Sequence, residues 1–394
     1  MKVRALRTHV VDAYRANFVF AVVETECGLV GVGEGTAEHR EPTVASAIHE
    51  IGRTLVGEDP FRIEHHAEML NRDSYWRTGI VLRSALSAVE QALHDIKGQA
   101  LGVPVHDLLG GRQRDRIRAY ANGWFVGART PDEMAARARD TVAMGFEGLK
   151  WDPFGSAYLD ISGPARLRAL ESIEAVRGAV GPAVALMIEG HGRFNVPTAV
   201  ALARDMAPFR PEWFEEPVPP ESISALAEVR ARSPVPIAAG ERYYEPARFA
   251  ELIRERAVDV LQPDVCHVGG LLAAKLVAGM AHTHGLPLAP HNPLGPVGNA
   301  ATLHLGAAIP NMSWLETMVT DVPWRRELVD EDMELRRGAM LVPALPGLGV
   351  RLHEDACARH PPGTYDLRHY KGTLTQIRPA GAEPFFRVTR GDAG

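Results

Sequence analysis

The chain has 394 residues, enough for more than one domain and a large buried core. Its composition, 46% apolar and 23% charged, is that of a globular water-soluble protein and excludes a disordered or fibrous chain. A net charge of −6 with no long basic run argues against a nucleic-acid or anionic-membrane partner.

The first predicted element is a β-hairpin over residues 18–32, where FVFAVVETECGLVGV sets Cys27-Gly28 as a turn between two β-branched runs. Helical periodicity follows over residues 42–55 and 84–101, giving an α+β start. After Gly110-Gly111 short apolar runs alternate with amphipathic helices. The runs are RIRAYA from Arg116, EGLKW to Trp151, VALMIE to Glu189, WFEEP around Glu215, PIAAGE to Glu241, VDVLQPD to Asp264, PLAPH to His291 and MSWLE to Glu316. Between them Leu167, Leu170, Ile173 and Val176 share one helix face, as do Phe249, Leu252 and Ile253. Eight alternating βα units predict an α/β fold with a parallel sheet closed into a barrel.

The other signals are mostly negative. Cys27, Cys266 and Cys357 are far apart and odd in number, so neither a disulfide framework nor a structural zinc site is expected. The N-terminal twenty residues are broken by Arg, His and Asp, and no run approaches the ~18 apolar residues of a membrane span, so the cytoplasm is the expected location. The tail after Pro379 is open between disorder and an interface.

Polar residues close the strand candidates at a regular interval. Glu189 to Glu215 is 26 residues, then 26 to Glu241, 23 to Asp264, 27 to His291 and 25 to Glu316, one βα unit each. Right-handed crossovers put the carboxyl ends of parallel strands on one face, so these side chains ring one mouth. A lone acid at a strand end commonly caps the next helix. Six polar ends in succession instead crowd carboxylates together, which a cation or a shared proton must offset.

Glu189, Glu215 and Glu241, on three adjacent strands, form an all-oxygen set suited to Mg²⁺. Neighbours on a strand point to opposite sides, so only one of Glu215 and Glu216 faces the centre. Asp264 and His291 end consecutive strands. A carboxylate bonded to an imidazole fixes its tautomer and raises its basicity, which makes His291 a candidate general base. His191 shares the face of Glu189 if the strand stays extended through Gly190, and would be a second acid/base group. Lys150, one of five lysines against 38 arginines, is expected near a carboxylate, with Asp152 on its side of the strand. The set suits abstraction of a proton alpha to a carboxylate, chemistry for which general experience with enolase-type sites already pairs a Lys or His base with Mg²⁺.

With these residues in place, the chain resembles the enolase superfamily over nearly its whole length. GLVGVGEG, SALSAVEQALHDIKGQALGVPVHDLLGG, WFEEPVPP, AAGERYYEP, LQPDVCHVGGL, APHNPLGPVGNAA and LPGLGVRL fit its mandelate racemase/muconate lactonizing enzyme-like branch. LAPHNPLGP with Glu-Gly-His-Gly-Arg at 189–193 is most similar to acid-sugar dehydratases of the D-galactonate dehydratase type. The resemblance implies a (β/α)₇β barrel (residues 114–325) under an α+β capping domain (residues 1–113) to which the segment 326–394 returns. It implies one Mg²⁺ on Glu189, Glu215 and Glu241, proton removal from C2 of an aldonate by His291 with Asp264, and His191 as acid to the departing 3-hydroxyl. Glu316 would bond the substrate carboxylate region and Lys150 would stabilise the enediolate, the product being a 2-keto-3-deoxy acid. Two departures stand out. An Asp is usual at Glu189 in the galactonate enzymes, and racemase-like members usually carry a second Lys where Asp152 stands. Epimerisation, cycloisomerisation and non-catalytic sugar-acid binding stay open as alternatives.

Specificity is expected from the cap. Tyr14, Arg15 and Asn17 between the first two strands, and Tyr75, Trp76 and Arg77, are candidates for sugar contacts or for packing cap on barrel. Asp152 and Arg242 are further candidates for substrate contact, and Arg193 and Tyr243, which also adjoin the catalytic positions, are candidates of second rank. The partner is a small acid sugar, and a symmetric homo-oligomer is expected from the resemblance.

Overall fold

Strand β1 (Val3–Asp12) pairs antiparallel with β2 (Asn17–Thr25), and β2 with β3 (Val30–Glu34), through a turn in which Gly28 takes φ +87°. The computed structural model describes residues 1–73, 75–365 and 377–389. Helices α1 (Glu41–Leu55), α2 (Ile63–Arg72), α3 (Ile80–Leu101) and the short α4 (Val105–Leu108) complete the cap. On β3, Gly33 lets α3 lie directly against the sheet, since a Cβ there would stand 1.8 Å from the Ala88 carbonyl oxygen. Ala85, Ala88 and Ala92 present the matching small face.

The second layer system runs β4 (Arg116–Asn122), α5 (Pro131–Ala143), β5 (Gly148–Trp151), α6 (Gly163–Val180), β6 (Ala185–Glu189), α7 (Val196–Met206), β7 (Trp213–Glu215), α8 (Ile223–Arg232) and β8 (Ile237–Ala239). It continues through α9 (Pro246–Arg254), β9 (Val260–Leu261), α10 (Leu271–Thr283), α11 (Pro296–Ala308) and β10 (Leu315–Met318). Side-chain caps from Thr130, Ser162, Asn195 and Ser222 start α5 to α8, each accepting from a first-turn N–H. Strands β4 to β9 pair in parallel in sequence order. Parallel bridges Leu261 to Leu288 and Leu288 to Met312 carry the path on, and β10 pairs with β4, so a barrel-like sheet returns to its first strand.

The helix faces hold except at one end. Ile173, Val176, Phe249, Leu252 and Ile253 are buried, but Leu167 is exposed at the start of α6. The expected strand PLAPH is reduced to its bridges at Leu288, because Pro287 and Pro290 on either side have no N–H to give a ladder.

The chain then passes through α12 (Arg325–Leu328), β11 (Val329–Asp330), β12 (Glu334–Arg336), β13 (Ala339–Leu341), β14 (Arg351–Leu352), α13 (Glu354–Arg359) and β15 (Arg387–Thr389). This segment touches both layers. Glu354 accepts from Arg7 and His9 of β1, while β13 pairs antiparallel with β4 and β15 parallel with β12. The tail after Pro379 is therefore ordered as far as it is described, with Phe385 and Phe386 buried; residues 390–394 lie outside the described residues. Among the described residues no helix is long and apolar enough to cross a membrane.

Buried acids of the cap lock it to the barrel. Glu34 accepts from the N–H groups of Gly295 and Gly298 at the start of α11 (2.7 and 2.8 Å), and Glu90 from Leu271 and Leu272 at the start of α10 (2.8 and 2.9 Å). Each carboxylate meets the positive end of a helix whose first N–H groups need acceptors.

Candidate active site

Alternation along the strands builds the floor of the site. Tyr120, Met187, Trp213 and Trp314 fill the barrel interior as one apolar layer. Two residues further along each strand, Asn122, Glu189, Glu215 and Glu316 project into the same interior one layer higher. The Trp213 indole N–H donates to Glu215 Oε2 at 2.8 Å, joining the layers. Above lies a cavity of about 550 Å³ between barrel and cap, lined among others by Lys150, Glu189, His191, Glu241, Arg242 and His291.

One carboxylate oxygen each from Glu189, Glu215 and Glu241 fall within 4.8 Å of one another. Lys150 Nζ lies beneath them, 2.6 Å from Glu215 Oε1, 2.9 Å from Glu316 Oε1 and 3.5 Å from Glu189 Oε2. Burial lowers the lysine's pKa, but Glu215 and Glu316 outweigh it and raise it well above the ordinary value. Lys150 is therefore a fixed cation. Burial and the neighbouring Glu215 raise Glu189 well above the usual carboxylate range. For Glu241, burial is outweighed by His291, Lys150, Arg242 and His191, which pull its pKa down. Glu189 Oε2 is buried without a hydrogen-bond partner among the described residues. Crowded carboxylates with a spare oxygen fit a hard cation such as Mg²⁺, which prefers an all-oxygen site.

His291 Nδ1 donates to Asp264 Oδ2 at 2.6 Å, and its Nε2 lies 3.4 Å from Glu241 Oε2 at the cavity. Asp264 is itself fixed by the Cys266 N–H at 2.7 Å. Burial lowers the His291 pKa, yet Glu241 and Asp264 push it up to about 10. Glu241 heads the raising causes, so a cation engaging that carboxylate relieves much of the rise.

His191 reaches the same cavity by another route than strand alternation. Strand β6 ends at Glu189, and His191 adopts φ +49° and Gly192 φ +60°. The chain turns left-handed, and the His191 N–H donates back to Glu189 Oε1 at 2.7 Å. Gly192 sits at φ +60°, where a side chain is strained, and its missing Cβ leaves room for the Arg242 guanidinium to cross, 2.0 Å from where that atom would stand. His191 Nδ1 bonds Asp152 Oδ2 at 2.7 Å, and Arg193 reaches the same oxygen.

The remaining expected residues divide. Glu316 is buried below the cavity rather than lining it, and its oxygens accept from Asn122 (2.7 Å), Lys150 and the Asn292 N–H (3.0 Å). Glu216 turns away from the centre and accepts from Arg242 Nε at 2.6 Å. Arg15 lines the cavity, ion-paired to Glu38 at 2.6 Å, whereas Tyr14 lies outside its lining, 6.2 Å from the Tyr365 ring. Asn17 is buried, bonded to Gly363. Tyr75 and Trp76 are 81% and 82% exposed and meet edge to face outside the lining; Arg77 is exposed as well. Tyr243 is buried against Phe249.

Sequence reasoning missed Asn122, His39, Glu221 and His267, all of which line the cavity. Asn122 closes β4 as the acids close their strands, so the strand-end rule applied to RIRAYAN would have found it. His39 sits at φ +62° in the loop after β3, where no periodicity exists to read.

Residues 2–110 match the family model for the N-terminal domain of mandelate racemase/muconate lactonizing enzymes, and residues 133–356 the enolase C-terminal domain-like model. The chain is 36% identical to D-gluconate dehydratase of Thermoproteus tenax, over 96% of this chain and 75% of that one. It is 37% identical to D-galactonate dehydratase of Ralstonia nicotianae, over 90% and 93%. A crystal structure of a mandelate racemase/muconate lactonizing enzyme from Jannaschia sp. CCS1 superposes with a TM-score of 0.87 at 31% identity, covering 94% of this chain and all of that one.

Proposed function

We propose that this chain, which belongs to the mandelate racemase/muconate lactonizing enzyme family of the enolase superfamily, dehydrates an acid sugar to a 2-keto-3-deoxy acid. The observation that carries the reading is one cavity holding Glu189 and Glu241 of the clustered carboxylate triad together with His291 and His191. The relatives named D-gluconate and D-galactonate dehydratase support it. Glu189, Glu215 and Glu241 would hold Mg²⁺, and that ion would supply positive charge to offset the charge that develops on the substrate carboxylate.

In this reading His291, oriented by Asp264, takes the C2 proton, and the electron pair left behind passes into the carboxylate as an enediolate. The pair then returns to form a C2–C3 double bond while the C3–O bond breaks. His191 gives its proton to the departing oxygen, so the group leaves as water. The enol tautomerises to the 2-keto acid with protonation at C3. Lys150 stays protonated and sets the positive field of the floor. Glu316 orients Lys150 and Asn122 instead of meeting the substrate. The capping domain is proposed as residues 1–113, the catalytic domain as 114–325 and the returning segment as 326–394.

The test is incubation with Mg²⁺ and a stereochemical panel of aldonates in D₂O. Formation of a 2-keto-3-deoxy acid is expected. Deuterium at C2 without water loss would make the enzyme an epimerase, and tight binding with neither would make it a binding protein; both overturn the proposal.

A further inference from the structure

We infer that Asp152 and Arg193 are positioning residues that hold the His191 imidazole in its working orientation, and that Asp152 does not contact substrate. The inference rests on the dehydratase reading above. The sequence makes Asp152 a candidate for substrate contact, yet its oxygens are occupied by the protein. Oδ1 accepts from the Phe154 N–H at 2.8 Å, and Oδ2 accepts from His191 Nδ1 at 2.7 Å and from the Arg193 guanidinium.

Arg193 is fully buried and acts as a three-way clamp. Its Nε donates to the Gly190 carbonyl at 2.9 Å, its Nη1 to the Gly155 carbonyl at 2.6 Å, and its Nη2 to Asp152. The loop after β5 and the turn after β6 are thereby tied on either side of His191. That turn needs tying, because His191 itself sits at φ +49°, a conformation β-carbon-bearing residues adopt only when the surroundings impose it.

The result mirrors the His291 arrangement. Each imidazole gives Nδ1 to a buried carboxylate, at 2.7 Å to Asp152 and 2.6 Å to Asp264, and both rings line the cavity. The two pairs differ in what else holds the carboxylate. Both carboxylates accept the N–H of the residue two places on, and Asp152 is held in addition by one nitrogen of the buried Arg193 guanidinium, whose other two nitrogens donate to backbone carbonyls. Loss of the clamp disturbs the proton donor to the leaving group and leaves the base at His291 in place.

The experiment follows C2 deuterium exchange and 2-keto acid formation in D₂O for the full-length protein with Mg²⁺ and whichever aldonate the wild type dehydrates. In Asp152→Asn, dehydration is expected to fall by at least about 10- to 100-fold, the range seen when the carboxylate behind a metal-bound histidine is removed. Exchange persists, because the enediolate forms and returns its proton, so the exchange-to-dehydration ratio rises. Arg193→Lys, which keeps the charge and loses the fork, is the second variant and shifts the ratio in the same direction. A merely structural role lowers both rates together, and an unchanged ratio in the folded variants overturns the inference. Absence of dehydration by the wild type on every aldonate would instead overturn the reading beneath it.

Discussion

Lys150→Met tests whether the floor of the site depends on one buried cation. The ammonium lies 2.6, 2.9 and 3.5 Å from Glu215, Glu316 and Glu189, and all four side chains are nearly or fully excluded from solvent. At an effective dielectric near 20, each contact of this length is worth about 5 kcal/mol, and the desolvation of the four groups offsets most of it. What survives is the cost of breaking a buried ion pair while leaving its partner, about 3–5 kcal/mol. Methionine keeps the stem's volume, so cavity formation adds little. The assay is urea denaturation in EDTA and again in millimolar Mg²⁺. In EDTA the variant is expected to be less stable than wild type by about 3–5 kcal/mol. In Mg²⁺ it should regain more stability than wild type does, because its triad binds the ion against less competing positive charge. Equal stability of the two proteins in EDTA, or equal Mg²⁺-induced gains, would refute the view of Lys150 as the triad's internal counter-ion.

Three further outcomes are expected. His291→Asn abolishes C2 deuterium exchange while Mg²⁺ still raises its thermal midpoint, since the imidazole is no member of the carboxylate triad; exchange at the wild-type rate removes His291 as the base. Asp95 accepts from the Val32 and Leu348 N–H groups and burial pushes its pKa up to about 6. Its folded state holds the proton more tightly than its unfolded state, so stability is lost as pH rises from about 4 to 6, by roughly 3 kcal/mol at 1.4 kcal/mol per unit. Denaturation of wild type and Asp95→Asn across that window should show the wild-type advantage shrinking by that amount, and a constant difference would contradict it. Glu354 runs the other way. Its bonds to Arg7 and His9 outweigh partial burial and hold its carboxyl down to about 2, so their stabilisation is present above pH ~4.5 and lost as pH falls toward 2. Because the groups are partly exposed, Glu354→Gln is expected to cost only about 1 kcal/mol at neutral pH and almost nothing at pH 2, by denaturation at both.

Much of the barrel was legible because its signal is a period. Strand and helix runs alternate at about 25 residues, and polar residues close the strands, so the sequence alone brings Glu189, Glu215, Glu241 and the Asp264–His291 pair to one mouth. The triad's oxygens do meet within 4.8 Å and the dyad does form at 2.6 Å. What the pattern misjudged is the backbone just beyond the strands. His191 reaches the cavity through a left-handed turn held by Arg193, and a φ of that sign has no composition signature at a histidine. The same blindness applies to the cap loops. Tyr75 and Trp76 have the chemistry of sugar contacts but are exposed, while His39 and Glu38 meet the cavity wall from a stretch without periodicity. Side-chain type alone assigns no address on an irregular loop.

The cap is more than a source of specificity, because its rigid docking decides where those loops hang. Glu34 and Glu90 give their carboxylates to the starts of α11 and α10, the helices on either side of the His291 loop. Arg83 adds bonds from α3 to the Tyr244 and Val268 carbonyls, in the loops that follow Glu241 and Asp264. Each contact joins a cap element to backbone that follows a catalytic position in the chain. Loosening one of them therefore acts at a distance of several residues on a proton-transfer geometry that tolerates little displacement. By this logic Glu34→Gln, which halves the acceptor capacity facing Gly295 and Gly298 and turns a donor toward one of them, lowers turnover as well as stability. Turnover and unfolding free energy measured side by side on the folded variant decide the point: a stability loss with unimpaired turnover would confine Glu34 to the scaffold.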